Sequence, residues 1–201
     1  MIKGLGSSYV ACLQSKTQRV PLVVAELLVG QFDVTQAVLK PRSVLEVGEQ
    51  YELVIEGKGS KGNVIRWQEK SKMQYAVVAG ADETTPAWET LPTESGKRYE
   101  EMGCGPAIHV AFASTVHDES EYLVKASVKN LASGRITAYY LQPDSMGYIH
   151  IGHGMCGGAY MLEKGKNFSV VFALMDASGN STSQTDKALQ FTKPEGSYGR
   201  R

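Results

Sequence analysis

The side chains best suited to chemistry are concentrated in one segment, residues 146–161, which holds two histidines, three methionines and one cysteine. His150, His153 and Cys156 are spaced by three, and neighbouring glycines would let the chain fold around an ion. Imidazole, thiolate and thioether groups are the ligands that soft or borderline metals prefer. One hypothesis is therefore a copper or zinc site formed by His150, His153, Met155 and Cys156.

The same segment also fits an ordinary hairpin without any bound ion. Met155 can fill a core, His150 can be one residue of an alternating strand, and the glycines can form the turn. A second chemical hypothesis is a nucleophilic Cys156 activated by His150 or His153. No acidic or amide residue is adjacent to the two histidines to orient such a base. We therefore favour the structural interpretation and predict no catalytic residue.

The cysteine count is odd, with Cys12, Cys104 and Cys156. Cys104 and Cys156 each precede a glycine in similar surroundings, Gly103-Cys104-Gly105 and Met155-Cys156-Gly157. In an oxidising compartment these two would be the favoured disulfide pair, and Cys12 would be left over. Such a bond would remove the Cys156 thiolate from any metal or catalytic site.

Composition argues against several functional classes. Lys plus Arg and Asp plus Glu are both 21, so the 201-residue chain has no net charge with which to attract nucleic acid. No segment approaches the roughly 20 apolar residues that cross a bilayer, and the first residues lack the apolar core of a signal peptide. Phosphate-loop, nucleophile-elbow and zinc-protease motifs are absent from the sequence, which argues against a nucleotide-dependent or hydrolytic enzyme.

Alternating apolar and polar residues, with many β-branched side chains, predict an all-β protein. Glycine-containing turn signals separate the predicted strands. In the first half these strands are Tyr9–Leu13, Arg19–Val24, Leu27–Val29, Ala37–Leu39, Tyr51–Glu56, Val64–Trp67 and Gln74–Val78. In the second half they are Ala107–Ala113, Tyr122–Val128, Ile136–Leu141, Tyr148–Ile151, Ala159–Leu162, Ser169–Met175 and Ala188–Thr192.

A polar segment without apolar periodicity, 82–86, predicts a domain boundary. The sequence thus predicts one domain over residues 1–81 and a second over residues 82–193. The Gly-, Ser- and Arg-rich tail, 194–201, is predicted to be disordered. The first domain is shorter than the second, which predicts either a missing initial strand in the first or an insertion in the second.

One seven-residue pattern occurs twice, 117 residues apart. Its repeated positions are Leu45, Gly48 and Tyr51 in the first copy and Leu162, Gly165 and Phe168 in the second. The same offset relates Gly62-Asn63 to Gly179-Asn180. A constant offset over this length predicts one structural unit used twice, with a strand end, a glycine turn and a core strand that begins with an aromatic ring.

The pattern resembles bacterial immunoglobulin-like and fibronectin type III-like modules. Their penultimate strand often reads Leu-x-x-Gly-x-x-Tyr with alternating apolar residues and ends in Asp-x-x-Gly-Asn, as 162–180 does most closely here. The segment 82–86 resembles the Asp-Thr-Thr-Pro-Pro opening of such modules. The resemblance implies two tandem immunoglobulin-like antiparallel β-sandwiches. It also implies a non-enzymatic extracytoplasmic binding, adhesive or spacer module of a bacterial surface or secreted protein, with an unknown protein or glycan ligand.

Two alternative functions stay open at this stage. The first is a periplasmic copper- or zinc-binding β-sandwich that uses the 146–161 segment. The second is a carbohydrate-binding module with a tyrosine platform, although neighbouring tyrosines such as Tyr139 and Tyr140 point to opposite faces of a strand. Two further tyrosines, Tyr148 and Tyr160, are available for such a platform. The segment Asp176–Asn180 has the oxygen spacing of a calcium loop but not its final glutamate, so a hairpin turn is predicted there.

Overall fold

The structure is a computed structural model that describes residues 2–58, 64–68, 74–162 and 165–196. Within these ranges the chain forms fourteen β-strands and one short 3-10 helix, Ile2–Gly4. The strands of the first half are β1 (Tyr9–Gln14), β2 (Arg19–Val29), β3 (Thr35–Pro41), β4 (Gln50–Lys58), β5 (Val64–Gln68) and β6 (Gln74–Ala76). The prediction of an all-β protein is confirmed, and no helix in the described ranges is long and apolar enough to cross a membrane.

The second half contributes the other eight strands. They are β7 (Ala87–Glu100), β8 (Ala107–His117), β9 (Tyr122–Asn130), β10 (Ile136–Leu141), β11 (Tyr148–Gly154), β12 (Gly157–Gly158), β13 (Asn167–Asp176) and β14 (Leu189–Thr192). Strand β7 is not among the strands predicted from the sequence. It is an edge strand whose register against β8 shifts three times, so its side chains do not alternate regularly between core and solvent.

The chain divides into two compact units, one formed by Met1–Leu28 with Thr35–Ala81 and the other by Val29–Val34 with Asp82–Arg201. The segment 29–34 therefore belongs to the second unit. There the Gln31 amide donates to the Ala159 carbonyl at 2.9 Å, and Val34 packs against the core of that unit. A single domain boundary near Asp82 does not place residues 29–34 in the second unit, because the contacts of these residues are with residues far away in the sequence.

The described strands of the first unit form one six-stranded sheet, in the order β3-β2-β1-β4-β5, with β6 also paired to β4. The pairs that involve β1 or β4 are antiparallel. Leu13, Val20 and Tyr51 form its buried cluster. Partly buried apolar residues that pack against this cluster are Leu22, Leu45 and Val77.

The second unit contains two four-stranded sheets, in the orders β10-β9-β13-β14 and β12-β11-β8-β7. Alternate residues of each sheet point into one shared core, as the period of two dictates for sheets with one buried face. The rings of Phe112 on β8 and Phe172 on β13 meet edge to face, with centroids 5.3 Å apart. Residues 159–162, which the sequence predicted to be a strand, form a buried connection instead.

The two copies of the repeated pattern lie at the start of strands with the same offset. Strand β4 begins at Gln50 and β13 at Asn167, which are 117 residues apart, and the aromatic residues that follow, Tyr51 and Phe168, are both buried.

Glycine is favoured at the repeated position for a different reason in each copy: the backbone angle in the first and the space for a side chain in the second. Gly48 has a φ of 83°, which favours glycine in the turn before β4. At Gly165 the constraint is space, since an added Cβ would lie 2.6 Å from the Asn130 amide nitrogen and 2.7 Å from the Phe168 ring. The Gly62-Asn63 part of the pattern lies outside the described residues.

The Gly179-Asn180 part of the pattern forms a closed turn after β13. The buried Asp176 carboxylate accepts the Asn180 backbone amide at 2.8 Å and the Asn180 side-chain amide, also at 2.8 Å. The same side-chain amide donates to the backbone carbonyls of Asp82 and Thr84, at 2.9 and 3.2 Å. The turn therefore holds the first residues of the 82–86 segment against the end of β13.

Candidate functional site: a histidine and arginine groove on one sheet face

Strands β7, β8 and β11 present a groove on the face of their sheet that points away from the core. Strand pairing places Arg98, His109 and Gly152 in one row across the three strands. The next row is formed by Gly96, Ala111 and His150. Each histidine thus stands opposite a residue with little or no side chain. The resulting groove has a volume of about 400 Å³ and is lined by Gly96, Lys97, Arg98, His109, Ala111 and His150.

Two constraints favour glycine at position 152: its backbone φ angle and the lack of space for a Cβ atom. Its φ is 149°, and a Cβ there would lie 1.9 Å from the Ile108 carbonyl oxygen. No other residue type fits such an approach without moving β8 against β11. The glycine therefore allows β11 to pair closely with β8 beside His109.

Asp144, in the loop before β11, orients the His150 ring. One carboxylate oxygen, Oδ2, lies 2.9 Å from His150 Nε2. The other oxygen, Oδ1, accepts the backbone amides of Met146 at 2.9 Å and Tyr148 at 3.0 Å. The carboxylate is thus held by backbone amides of its own loop and of the first residue of β11, independently of the histidine. These contacts lower the pKa of Asp144, with the His150 bond the largest cause and the Tyr148 amide the next.

His109 is half-buried and makes no hydrogen bond to a residue that the structure describes. Its ring lies edge to face with that of His150, with centroids 6.5 Å apart. Burial is the main cause that lowers the pKa of His109. Electrostatic interactions with His150, His153 and Arg98 lower this pKa further, and a smaller effect of Glu100 raises it. His109 is therefore a neutral imidazole at neutral pH, with ring nitrogens that a ligand can use.

The cationic side of the groove is Arg98. Its guanidinium donates to Glu100 Oε1 at 2.5 Å, yet the Arg98 side chain stays 70% exposed. Lys97, which also lines the groove, directs its ammonium group elsewhere, because Nζ lies 2.7 Å from Thr192 Oγ1 and 3.1 Å from Glu94 Oε1. Arg98 is thus the guanidinium that both borders the groove and is open to solvent.

The structure does not gather the residues of the predicted metal site. His150 is exposed on the outer face of β11, whereas His153 is 2% exposed and points into the core, where its ring lies 5.0 Å from that of Phe32. A spacing of three within a strand puts two side chains on opposite faces, so the two rings cannot share an ion. Met155 and Cys156 form the turn that follows β11. Across the described part of the chain, no three His, Cys, Asp or Glu side chains are placed to hold a metal.

The predicted Cys104–Cys156 disulfide is also not present. All three cysteines are free; Cys104 and Cys156 are exposed, and Cys12 is buried. Cys104 lies in the loop between β7 and β8, and Cys156 in the turn between β11 and β12. Their similar glycine-rich surroundings reflect two hairpin turns of the same sheet rather than a bonded pair.

The four tyrosines of the predicted platform are distributed over three environments. Tyr160 is buried, and its hydroxyl donates to the Ala126 carbonyl at 2.7 Å. Tyr139 packs against the core, and burial raises its pKa. Tyr140, in the other sheet, lies under the Lys125 ammonium group. Tyr148 alone of the four belongs to the sheet of the groove, where its ring centroid is 6.5 Å from that of His150.

Three residues of the groove were not anticipated from the sequence, and each was missed for an identifiable reason. Arg98 lies on β7, an edge strand whose side chains do not alternate regularly between core and solvent. His109 lies far in sequence from the 146–161 segment, on which the chemical hypotheses were based. Asp144 is six residues from His150, and the sequence showed only a Pro-Asp turn signal at that place.

An aspartate that orients a histidine can support proton transfer, and this pair lies beside the groove. Among its described lining residues there is no hydroxyl or thiol side chain. The chain has no significant match among protein-family models, curated proteins or solved structures.

Proposed function

We propose that this chain is a non-enzymatic binding module of a bacterial surface or secreted protein, built from immunoglobulin-like β units. Its ligand-binding surface is the groove on the outer face of β7, β8 and β11. The observation that carries the proposal is the grouping of Arg98, His109 and His150 around small residues on an otherwise ordinary sheet face.

The fold supports this role in two ways. Two antiparallel sheets around one core form a rigid support, and a sheet face on such a support keeps its side chains at fixed spacings. The groove is also pre-formed, since Asp144 holds the His150 ring before any ligand arrives. Pre-organised side chains lose less conformational entropy on binding than flexible ones.

The immunoglobulin-like part of the proposal depends on the repeated pattern. Strands β4 and β13 begin at equivalent places, each with a buried aromatic residue. In the first copy, the Tyr51 hydroxyl accepts the backbone amide of Glu46 at 3.0 Å, which ties the strand to the preceding corner. Corners of this kind are typical of immunoglobulin-like modules.

Backbone NMR of the full chain tests the binding face. A panel of neutral oligosaccharides, acidic oligosaccharides and short peptides would be titrated into labelled protein. We expect at least one class to shift the resonances of residues on β7, β8 and β11, and the variants Arg98→Gln and His150→Gln to weaken that response. The matched control is His117→Gln, which changes an exposed histidine at the far end of β8. Ligand-induced shifts confined to other surfaces would contradict the proposal.

A further inference from the structure

We propose that the groove binds an oxyanion, such as a carboxylate, sulfate or phosphate group, between Arg98, His109 and His150, and that binding strengthens from neutral to mildly acidic pH. This inference rests on the proposed function, because it assigns a ligand class and a pH response to the same groove.

The hydrogen-bond donors around the groove suit an oxyanion. Arg98 presents an exposed guanidinium, whose planar fork of N–H groups matches carboxylate and tetrahedral oxyanions. His109 has ring nitrogens that no described residue occupies. His150 uses Nε2 for Asp144, and its other ring nitrogen, Nδ1, takes no part in that bond. Three donors of this kind around one groove would replace much of the hydration of an anion.

The small residues of the groove give the anion room to reach these donors. Gly96 and Ala111 form the floor beside His150, and Gly152 stands opposite His109. Because none of the three carries more than a methyl group, the groove can accept a group the size of a sulfate between the longer side chains. A larger residue in place of Gly96 or Ala111 would fill that space.

The charges that face His109 explain why acid favours binding. Burial, His150, His153 and Arg98 oppose a proton on His109, and Glu100 favours it. Glu100 is already engaged by Arg98, and Asp144 is engaged by His150. A bound anion would add a negative charge beside His109, whose ring has no hydrogen-bonded carboxylate among the described residues. Proton uptake and anion binding are therefore linked, and each favours the other.

Sodium sulfate is the first probe, because sulfate does not change its own charge in the range of interest. Isothermal titration and imidazole ¹⁵N NMR would be recorded at about pH 7.5 and about pH 5.5, on either side of the ordinary histidine pKa, with sodium chloride holding the ionic strength constant. One additional charge-assisted hydrogen bond predicts that sulfate binds about tenfold more tightly at the lower pH. The His109 and His150 ring resonances are expected to shift together as sulfate is added.

Four variants separate the contributions of the groove residues. His109→Gln keeps a hydrogen-bonding side chain but cannot gain charge, so it should flatten the pH dependence. His150→Gln removes a ring that borders the groove, so it should weaken sulfate binding. Arg98→Gln should weaken sulfate binding at both pH values. Glu100→Gln should strengthen it, since the carboxylate competes with the anion for Arg98. The control His117→Gln, on the same strand but outside the groove, should leave binding unchanged.

Separate titrations with acetate and inorganic phosphate would show whether a planar or a tetrahedral oxyanion is preferred. The inference is overturned if sulfate binds equally at both pH values, or if His109→Gln and His150→Gln bind it as the unchanged chain does. If a neutral oligosaccharide or a peptide shifts the groove resonances while no oxyanion does, the inference fails and the proposed binding function stands. If no member of either panel shifts them, both fail.

Discussion

Asp144 and His150 form a fixed pair on the outer face of one sheet, with 2.9 Å between Oδ2 and Nε2. The carboxylate is held from both the loop and the strand, because the amides of Met146 in the loop and of Tyr148 at the start of β11 donate to its other oxygen. A carboxylate already positioned by backbone amides can orient a neighbouring ring at little further entropic cost. The His150 ring therefore belongs to a rigid part of the surface.

The pair makes a titration prediction. His150→Gln should raise the pKa of Asp144 towards its ordinary value of 3.8, because the largest cause of the lowering is removed. The two backbone amides remain, so the pKa should stay somewhat below that value. Carboxylate-detected NMR titration measures the change, and His117→Gln is the matched control. If the pKa of Asp144 were the same in both variants, the Met146 and Tyr148 amides alone would account for its lowering.

The lowered pKa of Asp144 also predicts how the free energy of unfolding changes with pH. A carboxyl group whose pKa is lowered in the folded state contributes stability above its unfolded pKa, and loses it as pH falls through the folded pKa. The stability difference between the unchanged chain and His150→Gln should accordingly be present at neutral pH, begin to fall near the ordinary aspartate pKa of about 4, and be lost only below the lowered pKa of folded Asp144. Urea unfolding at several pH values tests this direction.

How far the sequence could predict this molecule depends on whether the relevant contacts are local. Alternation predicted most strands, and the repeated pattern predicted the starts of β4 and β13, because both signals come from adjacent residues. Applied strictly to β11, the same alternation already separates His150 from His153. The metal hypothesis counted spacing along the chain and overlooked that a strand turns residues three apart to opposite faces.

The rest of the groove could not be predicted, because it depends on contacts between residues that are far apart in the sequence. Arg98 and His109 meet because β7 pairs with β8 in one particular register, which three irregularities along an edge strand modify. Segment 29–34 joins the second unit through residues more than a hundred positions away, as the Gln31–Thr137 bond illustrates. Pairing partners and registers of this range are chosen by the whole core rather than by any short segment.

Gly152 should be among the most sensitive positions of the second unit. Gly152→Ala would place a Cβ 1.9 Å from the Ile108 carbonyl oxygen at a φ of 149°, so we expect the free energy of unfolding to fall by about 2–4 kcal/mol. Gly157→Ala is the matched control, since a Cβ there meets nothing within 4 Å, and a change within about 0.5 kcal/mol is expected. Urea unfolding of both variants measures the difference. Equal stabilities would mean that β8 and β11 can separate at no cost.

Gln31 should stabilise the second unit through its side chain. Nε2 donates to Thr137 Oγ1 at 3.1 Å, and Oε1 accepts the backbone amide of Met161. Gln31→Ala leaves both groups without these partners, so we expect a loss of about 1–3 kcal/mol. Faster hydrogen exchange at the Met161 amide would locate the effect. The exposed Gln142, changed to alanine, is the control, and similar losses in both variants would exclude a specific role for Gln31.

The two copies of the repeated pattern differ in whether a tyrosine hydroxyl is present at the start of the strand, and we expect that each copy needs its own residue. The fully buried Tyr51 accepts the Glu46 amide at 3.0 Å and donates to Gln18 Oε1, whereas the equivalent residue of the second copy is Phe168. Tyr51→Phe should lower stability by about 1–2 kcal/mol, because the Glu46 amide loses its acceptor. Phe168→Tyr should also destabilise, because the new hydroxyl would enter an apolar cluster where Phe168 stacks on Phe191 at 5.4 Å.

These two variants can be compared with Tyr9→Phe, in which the hydroxyl that is removed bonds to no described residue. Denaturant unfolding gives the stabilities, and hydrogen exchange at the Glu46 amide reports the corner itself. We expect that amide to exchange faster in Tyr51→Phe and at an unchanged rate in Tyr9→Phe. If Phe168→Tyr were as stable as the unchanged chain, the second corner would have its own acceptor for a hydroxyl, and the two copies would be interchangeable at this position.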